Sequence, residues 1–435
     1  MALLTYLEFY RRHTSEFNKY IHQDDEVLII TPIGSSLGLK EKVNLNILYF
    51  DLKKDLDAQI NTLNNKYDLI ILSDVLEVSQ DIIRFLNLLR KNLNKDGRIL
   101  VASINPIWNI PLKLFENLKL KKESANRSYI HLKKFSKVLS SVGLEVLSST
   151  SRQYFPFKLL YLGSIVNKFL EIVFYFLNFG IRTYILVRED NSNTKKTHYS
   201  KTIIVPAKNE EGNLVELIDR IPNLGKNTEV VIACGKSHDN TLKVAKGITS
   251  NFLDIKVIEQ TKDGKANAVW EAIESTDGEI IAILDADISV DPEKLEDFFE
   301  IISLERADFV NGTRLIYDME KGAMKFINNI GNRVFQFIVS LIIGLPLTDS
   351  LCGTKVFRRT LYTKIISWQS TVKTKDPFGD FDLLFAAAYS GHKILELPIH
   401  YKSRTYGETQ IKKYRDGYKL IKYLVRSFYK FNSSS

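Results

Sequence analysis

The sequence predicts two α/β domains with mainly parallel sheets, and three observations carry that expectation. Short apolar strands alternate with helical patterns along both halves. At 435 residues the chain exceeds what one ordinary core accommodates. From Arg188 to His198 runs a polar stretch without apolar periodicity, and the β-branched strand Thr202-Ile-Ile-Val205 follows closely. The expected division is a first domain over 1–189, a linker over 190–199 and a second domain over 200–435.

In the first half the predicted strands are Glu26–Thr31, Leu45–Phe50, Tyr67–Ser73, Arg98–Ile104, Leu144–Ser149 and Arg182–Arg188. In the second they are Lys201–Val205, Thr228–Ala233, Ile255–Glu259, Glu279–Leu284, Asp308–Asn311 and Lys393–Pro398. No internal repeat or low-complexity segment interrupts them.

Composition is that of a globular protein, 45% hydrophobic and 26% charged. The net charge of +9 calls for an anionic partner: nucleic acid, an anionic membrane surface or a phosphate-bearing small molecule. Basic residues are spread along the chain and form no recognisable motif, so nucleic acid is not expected. Two cysteines, Cys234 and Cys352, are too few for a disulfide framework or a zinc site and suit a reducing compartment. Met1 to Tyr20 has no apolar signal-peptide core. Phe155–Val187 is broken by Asn167, Lys168, Glu171, Asn178 and Arg182. Phe326–Leu347 has an uninterrupted apolar run of only about ten residues, against the ~20 a span requires. No transmembrane helix is expected, and the expected location is cytoplasmic.

The chemistry concentrates in the second half. The apolar strand Glu279-Ile-Ile-Ala-Ile-Leu284 runs straight into Asp285-Ala286-Asp287. Carboxylates at i and i+2 of a strand end point to the same side. They repel unless a cation lies between them, and Mg or Mn accepts such oxygens while keeping positions for a diphosphate. Alone, Asp-x-Asp is equally at home in a surface turn; its company argues otherwise. Strand Thr202–Val205 ends in Pro206-Ala-Lys-Asn209-Glu210-Glu211, at the carboxyl edge where parallel sheets bind ligands. Lys262-Asp-Gly264-Lys265-Ala-Asn267 offers a flexible loop and a cation for phosphate oxygens. Phe378-Gly-Asp380-Phe-Asp382 places two carboxylates before a helical stretch, and Arg404-Thr-Tyr-Gly407-Glu-Thr409 adds a guanidinium on a loop.

In that order, Val205-Pro-Ala-Lys-Asn-Glu-Glu, Leu284-Asp-Ala-Asp, Asn311-Gly-Thr-Arg314, Asp349-Ser-Leu-Cys-Gly353-Thr-Lys, Asp376-Pro-Phe-Gly-Asp-Phe-Asp382 and Arg404-Thr-Tyr-Gly-Glu-Thr resemble the family 2 inverting glycosyltransferases, in their dolichol-phosphate-mannosyltransferase-like branch. The resemblance covers Lys201 to about Lys422 and implies a glycosyltransferase A fold. It also implies roles. Pro206, Asn209 and Glu210 line the nucleoside pocket, and Lys265 approaches the diphosphate. Asp285 and Asp287 hold a metal-bound nucleotide-sugar, with Asp287 as the direct ligand. Asp380 is the general base where the acceptor is a hydroxyl, and Arg404 joins the metal in meeting leaving-group charge. One departure stands out: Cys234 occupies the place of an acid that in the family contacts the base or ribose. Asp239 is read as helix-capping and Asp382 as orienting or capping.

The first half carries a second resemblance. Glu26-Val-Leu-Ile-Ile-Thr31 with Pro-Ile-Gly34-Ser-Ser-Leu-Gly38, then Tyr67-Asp-Leu-Ile-Ile-Leu-Ser73-Asp74 and Leu93-Asn-Lys-Asp-Gly97-Arg-Ile-Leu-Val, is similar to class I S-adenosylmethionine-dependent methyltransferases. That implies a Rossmann-like sheet, here degenerate. Thr31-Pro32-Ile33 stands where the family has an acid and its first glycine, and glycine is what lets backbone amides approach a ligand closely. Only about 36 residues separate the first strand from the Tyr67 strand, about twenty short of normal for an intervening βα unit. The unit taken as missing is the one whose acid holds the cofactor ribose. S-adenosylmethionine is therefore not expected to bind; an active site of this kind would use Gly34, Gly38, Asp51 and Asp74.

Finally, in Tyr414–Phe431 aromatic and aliphatic residues recur at helical spacing with Lys419, Lys422, Arg426 and Lys430 between them. Such a helix lies in an anionic interface or packs its apolar side on the domain. Met324–Leu347 could lie beside it. If both face lipid, the implied acceptor is a membrane-held polyprenyl phosphate, met by Arg314 and by Lys355 or Arg358, and the protein is peripheral on the cytoplasmic face. A soluble glycan is the other acceptor. The competing readings are a bifunctional glycosyltransferase/methyltransferase acting on a cell-surface glycan and a non-catalytic nucleotide- or lipid-binding scaffold.

Overall fold

The computed structural model describes the chain from Ala2 to Asn432 except residues 4–12, 15, 23, 34–38, 40–43, 51–55, 62, 64, 77–78, 80, 109–110, 112, 115–131, 155–156, 159–165, 167–168, 171–172, 175–178, 193–195, 226, 317–325, 375, 405 and 407–412. Gly34, Gly38 and Asp51 thus lie outside the described residues, and the apolar stretch 155–187 is described only in part. Two compact units emerge, the first reaching to Asp190 and the second running Asn191–Phe431.

The first unit contains β1 (Ala2–Leu3), β2 (Glu26–Pro32), β3 (Asn44–Phe50), α1 (Leu56–Ile60), β4 (Tyr67–Ser73), α2 (Ile82–Arg90), β5 (Leu93–Ile104), α3 (Leu132–Ser141), β6 (Leu144–Arg152), β7 (Phe157–Lys158) and β8 (Arg182–Glu189). Its six-stranded sheet has the order β3-β2-β4-β5-β8-β6. β3, β2, β4 and β5 pair in parallel, and β8 is antiparallel to both neighbours. Period-2 alternation gives the sheet two apolar faces. Leu28, Ile30, Ile70 and Leu72 enter one core, while Val27, Ile29, Leu69 and Ile71 enter the other.

This topology corrects one expectation. β3 pairs with β2 along its full length, from Glu26 opposite Asn44 to Pro32 opposite Phe50. The strand beside β2 is therefore present, and Asp51 follows it directly in sequence. The shortfall before β4 therefore does not remove that strand.

The second unit contains β9 (Lys201–Ala207), α4 (Leu214–Asp219), β10 (Thr228–Cys234), α5 (Thr241–Gly247), β11 (Asp254–Glu259), α6 (Lys265–Glu274), β12 (Ile280–Ile283), α7 (Leu295–Ser303), β13 (Phe309–Thr313), α8 (Phe326–Ile343), β14 (Lys355–Arg358), α9 (Leu361–Val372), α10 (Asp380–Tyr389), β15 (Ile394–Pro398) and α11 (Lys413–Asn432). Its seven-stranded sheet has the order β11-β10-β9-β12-β14-β13-β15, with β14 antiparallel to both neighbours. Helices cover both faces. Val230, Ile232 and Cys234 of β10 enter one core, and Val231 and Ala233 enter the core shared with α6, α9, α10 and α11. The strand order reverses at β9, which lies between β10 and β12. At such a switch point adjacent crossovers diverge and open a crevice at the carboxyl ends of the strands.

Among the described residues no helix is long and apolar enough to cross a membrane. The two interface candidates combine both alternatives. α11 buries Leu420, Tyr423, Leu424 and Ser427 yet exposes Tyr418, Ile421, Val425 and Tyr429; α8 buries Val339, Ile342 and Ile343 yet exposes Ile330, Val334 and Phe337.

Candidate active site

The crevice at β9 and β12 gathers most of the residues expected from the sequence. β12 ends two residues before Asp285, and β9 delivers Pro206 near its end and then Asn209 and Glu210. Asn209 adopts φ +56°, and its Oδ1 accepts from the His238 amide at 2.8 Å. That contact ties the loop after β9 to the loop after β10. Ile288, next to Asp287, has φ +52°. A β-branched residue is strained there, and such strain concentrates where a site fixes the backbone. Asp287 stabilises its own turn, since its Oδ1 accepts from the Ser289 amide at 3.1 Å and hydroxyl at 2.7 Å.

Three ion pairs define the floor. Lys265 Nζ lies 2.5 Å from Asp285 Oδ1, Arg404 Nη2 2.7 Å from Asp287 Oδ2, and Lys355 Nζ 2.8 Å from Asp380 Oδ1. Lys265 and Asp380 are the first residues of α6 and α10. Gly379 just before Asp380 has φ +83°, where a side chain is strained. Lys355 is fully buried at the start of β14 and also donates to the Cys352 carbonyl.

The electrostatics follow from crowding. Burial works to lower Lys265, but the Asp285, Asp380 and Asp287 carboxylates together outweigh it and hold the ammonium above its usual range. Burial likewise works to raise Asp285, and Lys265, helped by Lys355 and Arg404, reverses it to a net depression. Among the described residues, the carboxylate of Glu210 has only the Asn213 amide, 2.6 Å away, as hydrogen-bond partner. Burial, reinforced by the charge of Asp287, pushes it up to about 7 despite that bond.

Two expected residues are placed differently. Arg314 spends its fork on Asp349, with Nε 2.7 Å from Oδ2 and Nη2 3.0 Å from Oδ1, and its guanidinium lies over the Tyr401 ring. It therefore anchors the start of the 349–354 loop. Arg358 stands at the far end of β14, opposite Ile280 at the start of β12, and contacts Tyr199, Glu305 and Asp308. It is not brought to the site.

Sequence reasoning passed over Gly353, although it lies in a quoted motif. A Cβ there would fall 1.9 Å from Asp285 Oδ2 and 2.8 Å from Lys265 Nζ, so the 349–354 loop passes the ion pair as closely as a backbone can. Asp382 is not a cap: Asp376 fills that role, accepting from the Phe381 amide at 2.7 Å and the Asp382 amide at 3.2 Å.

In the first unit, Asp74 follows β4 at φ +56°, is buried, and pairs with Arg182 of β8. His13 bridges Tyr184 Oη at 2.9 Å and Ser73 Oγ at 3.0 Å. The carboxyl end of β4 is thus closed by internal polar contacts.

The family model for glycosyl transferase family 2 matches residues 202–366, and a methyltransferase domain model matches residues 16–149. A dolichyl-phosphate hexose transferase of Haloferax volcanii is 30% identical over 236 residues, 54% of this chain and 96% of that protein. A dolichol-phosphate mannosyltransferase of Pyrococcus furiosus is 27% identical over 221 residues, 48% of this chain and 59% of that one. Among solved structures, glucosyl-3-phosphoglycerate synthase from Mycobacterium tuberculosis, with Mn2+, UDP and phosphoglyceric acid, aligns with TM-score 0.40 and 17% identity over 53% of this chain and 78% of that one. The chain belongs to glycosyltransferase family 2 and carries a methyltransferase-type domain ahead of the transferase domain. It is a glycosyltransferase.

Proposed function

We propose that the second unit transfers a sugar from a nucleoside-diphosphate sugar, with Mg or Mn, to a membrane-held polyprenyl phosphate, as a peripheral protein at a lipid surface. The pairing of Asp380 with the fully buried Lys355 carries this reading. A hydroxyl nucleophile needs a base to take its proton, and here the carboxylate is already engaged by an ammonium. A phosphate nucleophile is anionic and needs none; it needs cations and orientation, which Lys355 and Asp380 offer together. The exposed apolar rows of α8 and α11, the latter interleaved with Lys419, Lys422, Arg426 and Lys430, suit a lipid surface. The relatives named for dolichyl phosphate support the same acceptor class.

Among the described residues no group of three or more His, Cys, Asp or Glu could hold a metal by itself. Asp285 and Asp287 supply carboxylate oxygens and leave the remaining ligands to a diphosphate, which fits Mg or Mn and not a structural metal. When bound, the cation offsets charge on the departing nucleoside diphosphate. Lys265 and Arg404 orient the diphosphate, while Pro206, Asn209 and Glu210 line the nucleoside pocket. We assign residues 190–199 as the linker and the first unit as structural, because the Asp74 charge is spent on Arg182. No detectable S-adenosylmethionine binding is expected, and a micromolar Kd, about −8 kcal/mol, would restore the bifunctional reading.

The test is transfer from labelled nucleotide sugars, with Mn, to polyprenyl phosphate and to a soluble glycan, using parent and Asp380→Asn. Transfer to the lipid, with a loss in the variant well short of the 10²–10⁴-fold expected of a removed general base, supports the proposal. Transfer to the glycan alone, abolished by Asp380→Asn, overturns it.

A further inference from the structure

A buried acid that the reaction does not use lies one helical step beyond Asp380. Asp382 is almost fully enclosed between α9, α10 and α11 and has no salt-bridge partner among the described residues. Its Oδ1 accepts from the Tyr423 hydroxyl of α11. Its Oδ2 accepts from Gln369 Nε2 of α9 at 2.8 Å. The Tyr423 oxygen in turn accepts from Trp368 Nε1 at 2.7 Å. Burial, with the nearby Asp376 charge, pushes Asp382 up to about 8. An apolar residue would fill this space without the desolvation cost, so what the acid contributes is a defined position.

A second contact from α11 reaches the same segment. Arg426 Nη1 donates to the Lys373 carbonyl and the Thr374 hydroxyl. One helix therefore grips residues 373–382 at both ends, at Lys373 through Arg426 and at Asp382 through Tyr423. Between the grips lie Asp376, which caps α10, and Asp380, which faces Lys355. The opposite side of α11 carries the exposed row Tyr418, Ile421, Val425 and Tyr429, at spacings of three and four that form one stripe.

We propose that Tyr423 is a positioning residue for Asp380, so that seating α11 on lipid and aligning the first turn of α10 are one event. This rests on the reading that the outer rows of α8 and α11 meet lipid. The hydroxyl touches no substrate; it acts through Asp382 and the short segment that α11 holds.

The experiment uses the full chain with vesicles of phosphatidylglycerol and phosphatidylcholine carrying polyprenyl phosphate, and the nucleotide sugar that supports transfer. For Tyr423→Phe, co-sedimentation with vesicles, nucleotide Kd and binding stoichiometry should match the parent. Its kcat should fall about 3- to 10-fold, no further than Asp380→Asn itself falls, with KM for the nucleotide sugar unchanged, because a group that acts through Asp380 cannot count for more than Asp380 does. A purely structural role would lower binding stoichiometry along with rate. If Tyr423→Phe does not fold, Asp382→Leu keeps the bulk, removes both acceptors that Tyr423 and Gln369 use, and should show the same split. Parent-like kcat in a folded variant that still sediments with vesicles overturns the positioning role. Failure of the parent itself to sediment overturns the lipid reading instead, which keeps the two results separate.

Discussion

Replacing Gly353 by alanine tests the geometry of the site most directly. The new Cβ would fall 1.9 Å from Asp285 Oδ2, 2.6 Å from its Cγ and 2.8 Å from Lys265 Nζ. Carbon atoms prefer neighbours at roughly 3.5 Å or more, so the Asp285 carboxylate must retreat by over about 1 Å. Gly353 is outside the left-handed region that would strain an alanine, so the effect is steric and centred on one ion pair. Overpacking of this kind costs about 1–3 kcal/mol of stability, and a displacement of about 1 Å at a binding group costs on the order of 10²-fold. Calorimetric titration with a nucleoside diphosphate and Mn should show affinity reduced about 10- to 100-fold, with a still cooperative thermal transition. Gly331→Ala in α8 is the control, because nothing lies within 4 Å of its Cβ position. Helix propensity predicts it to be neutral or stabilising by up to about 1 kcal/mol. Parent-like nucleotide affinity in Gly353→Ala would refute the assignment of Asp285 and Lys265 to the diphosphate site.

Two further predictions follow from burial. Arg314→Ala strands Asp349, fully buried, and should cost about 3–5 kcal/mol in denaturant unfolding; a raised acceptor KM with stability unchanged would instead return Arg314 to the acceptor phosphate. Glu210, at about 7 in the folded protein against 4.5 ordinarily, keeps a proton that the unfolded chain releases between those values. Its contribution is therefore fully present below pH 4.5 and lost as pH rises through 7. Glu210→Gln should gain stability relative to the parent across that window, and parallel stability–pH curves for the two would contradict the assignment.

Much of the fold was legible because it is local. The apolar runs of β2, β4, β9 and β10 alternate between two cores, and their boundaries fall within two residues of those expected. β14 was not legible. Lys355-Val-Phe-Arg358 offers two apolar residues between two charges, and its burial comes from β12 and β13 on either side. The carboxylates at the end of β12 were legible for the same local reason, whereas the pairing of Arg404 with Asp287 joins residues far apart in sequence and depends on the assembled sheet. Arg314 and Arg358 show the limit most clearly. Both are basic residues at strand ends, and only the fold shows that one is held by Asp349 and the other sits at the opposite edge. Asp51 illustrates the converse, since counting residues between strands suggested a lost unit where β3 in fact pairs with β2.

The resting site is balanced pair by pair, Lys265 with Asp285, Arg404 with Asp287 and Lys355 with Asp380, and that balance constrains how ligands enter. On the proposed assignment, a divalent cation arriving alone would draw Asp285 and Asp287 away from Lys265 and Arg404 and leave the charges of those two residues unbalanced. A nucleoside diphosphate arriving alone would draw the two cations away and leave two carboxylates unbalanced. Arriving together they would bring charges that nearly cancel, so the carboxylates would pass to the metal and the cations to the diphosphate without stranding any charge. Binding of Mn and nucleotide should therefore be strongly cooperative, and by linkage each should tighten the other by the same factor. A coupling of about 10-fold or more corresponds to at least about 1.4 kcal/mol, and calorimetric titration of each ligand with and without the other measures it from both directions. Arg404→Ala should separate the contributions, tightening Mn alone by freeing Asp287 while weakening the nucleotide. Independent binding of the two ligands, or an Arg404→Ala variant that binds Mn alone no better than the parent, would show that the three ion pairs do not govern ligand entry.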